Sequence, residues 1–169
     1  MTAIFLVQGN RVIASILTSA QLASRLSNTA TQVAAVCYRR KAGEIEFLLV
    51  NTSAGKWTFP KGGVGLGTSP RKAALQEAWE EAGVSGEIEK TSFTSYMHHR
   101  GDDSVVINAF LLKVHRTVDP IETFRNPRWF SPERTKKRLG ELRSTRYRKE
   151  FERVVELALT RLGQRSPKQ

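Results

Sequence analysis

The chain has 169 residues, 40% hydrophobic and 25% charged, with a formal net charge of +11. That size and composition describe one globular domain able to bury its own core, and they exclude a disordered or fibrous chain. Lys+Arg 27 against Asp+Glu 16 predicts attraction to polyanions, whether nucleic acid, an acidic membrane or a polyphosphorylated small molecule.

Taken in chain order, residues 1–29 read as an N-terminal extension. Leu17 to Leu26 has the spacing of a short helix, with Leu17, Leu22 and Leu26 on one side. Ala3-Ile4-Phe5-Leu6-Val7 is too short for a signal-peptide core, and no apolar run approaches the ~18–20 residues of a membrane span. The expectation is a soluble cytoplasmic protein with no membrane partner. Residues 30–163 read as a single domain and 164–169 as a flexible tail. Thr31 to Tyr38 and Ile45 to Val50 are strand-like runs, and Arg39-Arg40-Lys41-Ala42-Gly43-Glu44 between them reads as a hairpin turn. Cys37 lies in the first run and reads as a buried structural thiol; as the one cysteine it excludes an internal disulfide and a Cys-cluster zinc site.

A short strand from Trp57 to Phe59 leads into Pro60-Lys61-Gly62-Gly63-Val64-Gly65-Leu66-Gly67, a loop by its glycine content. The helix that follows is bounded by Ser69 as N-cap, Pro70 at its first position and Gly83 as its stop. Ile88 to Met97 and Ser104 to Val114 read as two strands around Arg100-Gly101-Asp102-Asp103. A short helix is expected near Pro132. A longer one is expected from Thr145 to Leu162, with Phe151, Val154, Val155, Leu157, Ala158 and Leu162 as its apolar stripe. Mixed strands with two or three helices predict an α+β fold or an α/β/α sandwich. Residues 1–112 carry 11 basic and 9 acidic side chains, and residues 113–169 carry 16 and 7, so the positive field is concentrated in the C-terminal third.

At about 100° per residue, Glu77, Glu80 and Glu81 fall within one arc of the Ser69–Gly83 helix, with Ala74, Leu75, Ala78, Trp79 and Ala82 on the core side. Like charges at such spacings repel unless a cation sits among them. One reading is an exposed acidic face paired with arginines. The other is a hard divalent cation, which favours carboxylate and phosphate oxygens. The glycine loop, which lets backbone approach a ligand, and Lys61 at its mouth favour the second: together they match what a pyrophosphate needs.

Residues 62–84, GGVGLGTSPRKAALQEAWEEAGV, resemble the signature of the Nudix (MutT-like) hydrolases, G-x5-E-x7-R-E-U-x-E-E-x-G-U. The match falls on Gly62, Glu77, Glu80, Glu81, Gly83 and Val84, with Trp57 to Gly62 similar to the usual lead-in and Arg128-Trp129-Phe130 to a later strand. The resemblance implies the Nudix α/β/α sandwich and cleavage of a phosphoanhydride bond in a nucleoside diphosphate linked to another group. It implies Mg²⁺ or Mn²⁺ as cofactor, held by Glu77, Glu80, Glu81 and the Gly62 carbonyl, with Glu80 or Glu81 as general base. Thr68 and Gln76 depart from the family's glutamate and arginine, which pair with each other. Losing both together strands neither charge, and a Thr68–Gln76 hydrogen bond is the expected replacement.

Within that superfamily, Ala34-Ala35-Val36, Tyr38-Arg39-Arg40 and Glu46 to Val50 look most like the diphosphoinositol polyphosphate and diadenosine polyphosphate hydrolases. Lys61, Arg39, Arg40 and Lys41 are then candidate phosphate contacts. Alternatives are an RNA 5'-end pyrophosphohydrolase, which the charge also fits, and a non-hydrolytic nucleotide- or RNA-binding module. Adjacent strand residues face opposite ways, so at most one of His98 and His99 faces a cleft. Trp57 is a candidate for base stacking or for the core, and Asp102 and Asp103 for a turn. The oligomeric state stays open, a homodimer included.

Overall fold

A computed structural model of the chain describes residues 6–8, 11–13, 32–100 and 103–163; of residues 6–8, 11–13, 99, 100 and 103 it describes the backbone alone. The chain divides into two units, Met1–Ala30 and Thr31–Gln169. In the first, β1 (Leu6–Gln8) and β2 (Arg11–Ile13) pair antiparallel. The helix expected at Leu17 to Leu26 and the tail 164–169 lie outside the described residues.

The second unit is an α/β/α sandwich. Its strands are β3 (Gln32–Lys41), β4 (Glu44–Asn51), β5 (Trp57–Thr58), β6 (Lys61–Gly63), β7 (Val84–Ile88), β8 (Thr94–Arg100), β9 (Asp103–Thr117) and β10 (Arg128–Phe130). Its helices are α1 (Pro70–Ala82), α2 (Pro132–Gly140) and α3 (Thr145–Arg161). The main path through the sheet is β10-β4-β3-β9-β7, with β5 on β4, β6 on β3 and β8 on β9. β3 and β9 run parallel and their other pairings are antiparallel, so the sheet is mixed.

Both faces of β3 are covered, which is why its sequence is nearly continuously apolar rather than alternating. Val33, Ala35 and Cys37 pack towards α1, whereas Ala34 and Val36 pack towards α2 and α3. Cys37 is fully buried, and burial pushes its thiol pKa up, so it is the structural thiol the sequence predicts. The two helical layers use different side chains. The α3 face is bulky, with Phe151, Val154, Val155, Ala158 and Leu159 buried, whereas α1 buries Ala73, Ala74, Ala78 and Ala82. An alanine face lets a helix sit close to its sheet. Here it brings the acidic ridge of α1 against β6.

Both caps of α1 are as expected. The Ser69 side chain accepts a hydrogen bond from the Lys72 N–H, and Gly83 ends the helix at φ 64°, its N–H donating to the Trp79 carbonyl. A Cβ at Gly83 would lie 2.1 Å from the Val118 carbonyl oxygen, so close approach reinforces the conformational requirement for glycine.

Four sequence readings are corrected. Ile88 to Met97 is not one strand: Ile88 ends β7 and β8 begins at Thr94. The sequence concealed β7 because it starts one residue after the helix cap, and Gly86 marks a bulge within it. Lys61–Gly63 is a short strand inside the expected loop, paired with Gln32 to Ala34. Arg39, Arg40 and Lys41 belong to β3, and the turn is Ala42-Gly43, both at positive φ as a two-residue hairpin requires. On α1, Trp79 is 38% exposed while Glu81 is buried, the reverse of the two-sided wheel. Its simple division into core and solvent sides omits β6, which covers the Glu81 edge.

Candidate active site

The sheet register sets the site. Gly62 pairs with Val33 at the start of β3, and α1 passes beside β6. Gly62 is needed for proximity: a Cβ built there would lie 2.0 Å from Glu77 Oε1 and 2.3 Å from its Cδ. The Glu77 carboxylate therefore rests directly on the glycine backbone. Burial raises its pKa, and the charges of Glu80 and Glu122 raise it further, against the opposing influence of Lys61 and Arg125.

Glu81 is 2% exposed. Its Oε2 accepts the Lys61 backbone N–H at 3.0 Å, and its Oε1 forms an ion pair with Arg125 Nη2. Burial is the largest influence on this group and pushes its pKa up to about 7, although the Lys61 N–H and the Arg125 guanidinium both favour its ionised form. Glu80 is only partly exposed, and its Oε1 accepts Gln76 Nε2 at 2.8 Å. The Thr68–Gln76 hydrogen bond expected from the sequence is thus replaced by a bond along the helix. The Thr68 N–H instead donates to the Gly65 carbonyl at 3.0 Å and closes the loop.

The structure therefore brings Lys61, Gly62, Glu77, Glu80 and Glu81 to one end of the sheet. Among the described residues, no three acidic, histidine or cysteine side chains form a ready-made cation cluster, because Glu81 turns to Arg125 and Glu80 to Gln76. The oxygen donors and the excess negative charge at Glu77 nevertheless fit a hard divalent cation in kind. Arg39, Arg40 and Lys41 are not part of this group. Arg40 lies seven residues along β3 from the Val33 partner of Gly62, about 23 Å at strand rise. Arg39 is paired with Glu46 at 2.7 Å and stacked over Trp129 at 4.2 Å, while Arg40 donates to the Leu162 carbonyl.

Trp57 meets the Phe130 ring edge-on at 5.1 Å, which gives it a place in the core packing. His98 and His99 are in β8 opposite Val105 and Ser104; the His99 side chain, like Gly101 and Asp102, lies outside the described residues. Two residues that contact the acidic ridge escaped the sequence reading. Arg125 closes the 3₁₀ turn Thr123–Arg125, and Glu122 precedes that turn. No spacing or periodicity marks them.

The NUDIX domain profile matches residues 29–151, and the chain belongs to that family. It is 36% identical over 108 residues to Nudix hydrolase 21, chloroplastic, of Arabidopsis thaliana, an alignment covering 59% of this chain and 54% of that protein. It is 46% identical over 54 residues to a bis(5'-nucleosyl)-tetraphosphatase (asymmetrical) of Caenorhabditis elegans, covering 31% and 39% of the two chains. The crystal structure of a C. elegans Ap4A hydrolase binary complex shares the fold, with a TM-score of 0.67 at 24% identity over 79% of this chain and 98% of that one. The chain thus spans little more than half the length of the plant relative.

Gly62→Ala is expected to retain the fold within about 1 kcal/mol, because the atoms nearest the new methyl are the far end of a flexible side chain. It is also expected to drive the Glu77 carboxylate away from the loop. Denaturant unfolding checks the first result and a crystal structure of the variant checks the second. A loss of several kcal/mol would mean that Glu77 cannot rotate away.

Proposed function

We propose that this protein is a divalent-metal-dependent hydrolase of phosphoanhydride bonds, acting on a dinucleoside polyphosphate or a comparably phosphorylated nucleotide. The observation that carries this reading is the desolvated Glu77 carboxylate against the Gly62 backbone, with Glu80 and Glu81 on the same ridge, inside a NUDIX domain. Glu77, Glu80, Glu81 and the Gly62 carbonyl would hold Mg²⁺ or Mn²⁺. When bound, such an ion screens the phosphate charge and acidifies water.

The chain's own groups supply the remainder of the mechanism. Lys61, beside the acidic ridge, would meet phosphate oxygens. A water oxygen bonds to one phosphorus, the bridging P–O bond breaks, and the anhydride separates into two phosphorylated products with release of a proton. Glu80 and Glu81 are the candidates to accept that proton, and a carboxylate with a pKa raised towards neutrality suits the role. Two buried polar atoms with no hydrogen-bond partner among the described residues, Gln32 Oε1 and the Tyr96 hydroxyl, lie in register with each other and with Gly63 at this end of the sheet. Ordered water would satisfy them.

Glu77→Gln and Glu80→Gln should each lower turnover by about 10²-fold or more while leaving the circular dichroism spectrum unchanged, since a charged ligand is lost without a change in volume. Full turnover in both variants, or in excess chelator, would contradict the proposal.

The net charge of +11 supports a highly anionic substrate through long-range steering, given how far Arg39, Arg40 and Lys41 lie from the glutamates. Such steering is screened over about 8–10 Å at physiological ionic strength. The kcat/KM for a dinucleoside tetraphosphate should therefore exceed that for a sugar nucleotide with two phosphates at low salt, and should fall more steeply as salt is added. Equal efficiency at low salt would assign the charge to a different partner, with 5'-triphosphorylated RNA the first to assay.

A further inference from the structure

The turn before β10 is fixed to the end of the acidic helix by a continuous chain of bonds. The Glu122 N–H donates to the Glu80 carbonyl at 2.9 Å, and the Arg125 N–H donates to the Glu122 carbonyl at 3.0 Å. The Arg125 side chain then returns to the ridge. Its Nε pairs with Glu122 Oε2 at 2.6 Å, its Nη1 reaches the Asn51 carbonyl at 3.4 Å, and its Nη2 pairs with Glu81. The guanidinium also sits 4.9 Å above the Phe124 ring. With a side chain only 19% exposed, Arg125 is a largely buried cation at a place where Glu77, Glu80, Glu81 and Glu122 concentrate negative charge.

We propose that Arg125 is the internal counter-ion of the proposed metal site. It neutralises Glu81 while no divalent ion is bound and weakens the site's affinity for that ion. This inference rests on the metal-dependent reading above. A planar, always charged group with several donors can hold Glu81 and Glu122 together, which a neutral side chain cannot. Without that charge, Glu81 is a buried carboxylate held by a single backbone N–H, a costly arrangement. The same charge repels an incoming divalent ion competing for the Glu81 oxygens. Arg125 thus lets the acidic ridge fold without metal, at the expense of affinity. The chain has Gln76 at the position where the signature has arginine, and Arg125 approaches from a separate turn, so its arrival is a property of this fold's loop and not of the helix.

The test is Mn²⁺ binding without substrate, followed by electron paramagnetic resonance, together with melting in chelator and in excess Mn²⁺. Arg125→Gln should melt below wild type in chelator, bind Mn²⁺ about fivefold more tightly or better, and recover most of the lost melting temperature when Mn²⁺ is added. Arg125→Lys keeps the charge but loses the planar fork, and should bind Mn²⁺ more weakly than Arg125→Gln does. Unchanged or weaker binding by Arg125→Gln, with wild type binding normally, overturns the counter-ion assignment alone. If Arg125→Gln does not fold in chelator, folding in excess Mn²⁺ supports the proposal and failure under both conditions overturns it. Absence of Mn²⁺ binding by wild type overturns the metal reading and the proposal with it.

Discussion

A carboxylate almost entirely out of water holds this site together. Glu81 takes one hydrogen bond from the Lys61 N–H of β6 and one ion pair from Arg125 in the turn before β10, and so joins three segments far apart in sequence. Burying a charge is tolerable only when partners replace its lost hydration, and here the backbone of β6 and a guanidinium do so. The rest of the site follows from that contact. The alanine face of α1 allows the helix to lie close to the sheet, and Gly62 leaves room for Glu77 beside it. Gly83 then ends the helix where Val84 can enter the sheet at once.

The parts legible in the sequence were those governed by local rules. Ser69, Pro70 and Gly83 are local stop and start signals, and they bound α1 as expected. The apolar stripe of α3 and the paired runs of β3 and β4 were readable from spacing, although Leu157 is 38% exposed and Leu159 takes a core place the stripe omitted. The signature glutamates were visible as a ridge because helical periodicity places them there regardless of the surroundings. Their different environments were not visible. Burial of Glu81 depends on a short strand paired to β3, and its ion pair depends on a turn more than forty positions later. No single-helix argument contains either fact.

The same distinction applies to charge. Arg39, Arg40 and Lys41 are adjacent in sequence and look like one cationic cluster. In the fold they extend along a strand whose other end carries the site, and Arg39 is already neutralised by Glu46. Arg125, which no cationic run in the sequence singles out, reaches the acidic ridge and pairs with Glu81. Total charge bears on how a polyanion is drawn to the protein. Which charge touches the chemistry is decided by register and loop docking.

Anomalous diffraction from crystals of the full chain grown with Mn²⁺ can show whether the ridge beside Gly62 holds a divalent cation for phosphoanhydride hydrolysis. An anomalous peak is expected in coordination distance of Glu77 and the Gly62 carbonyl, roughly 2.0–2.3 Å as hard cations bind oxygen. A well-ordered site with no Mn²⁺ there, or Mn²⁺ held only by residues outside the ridge, would contradict it.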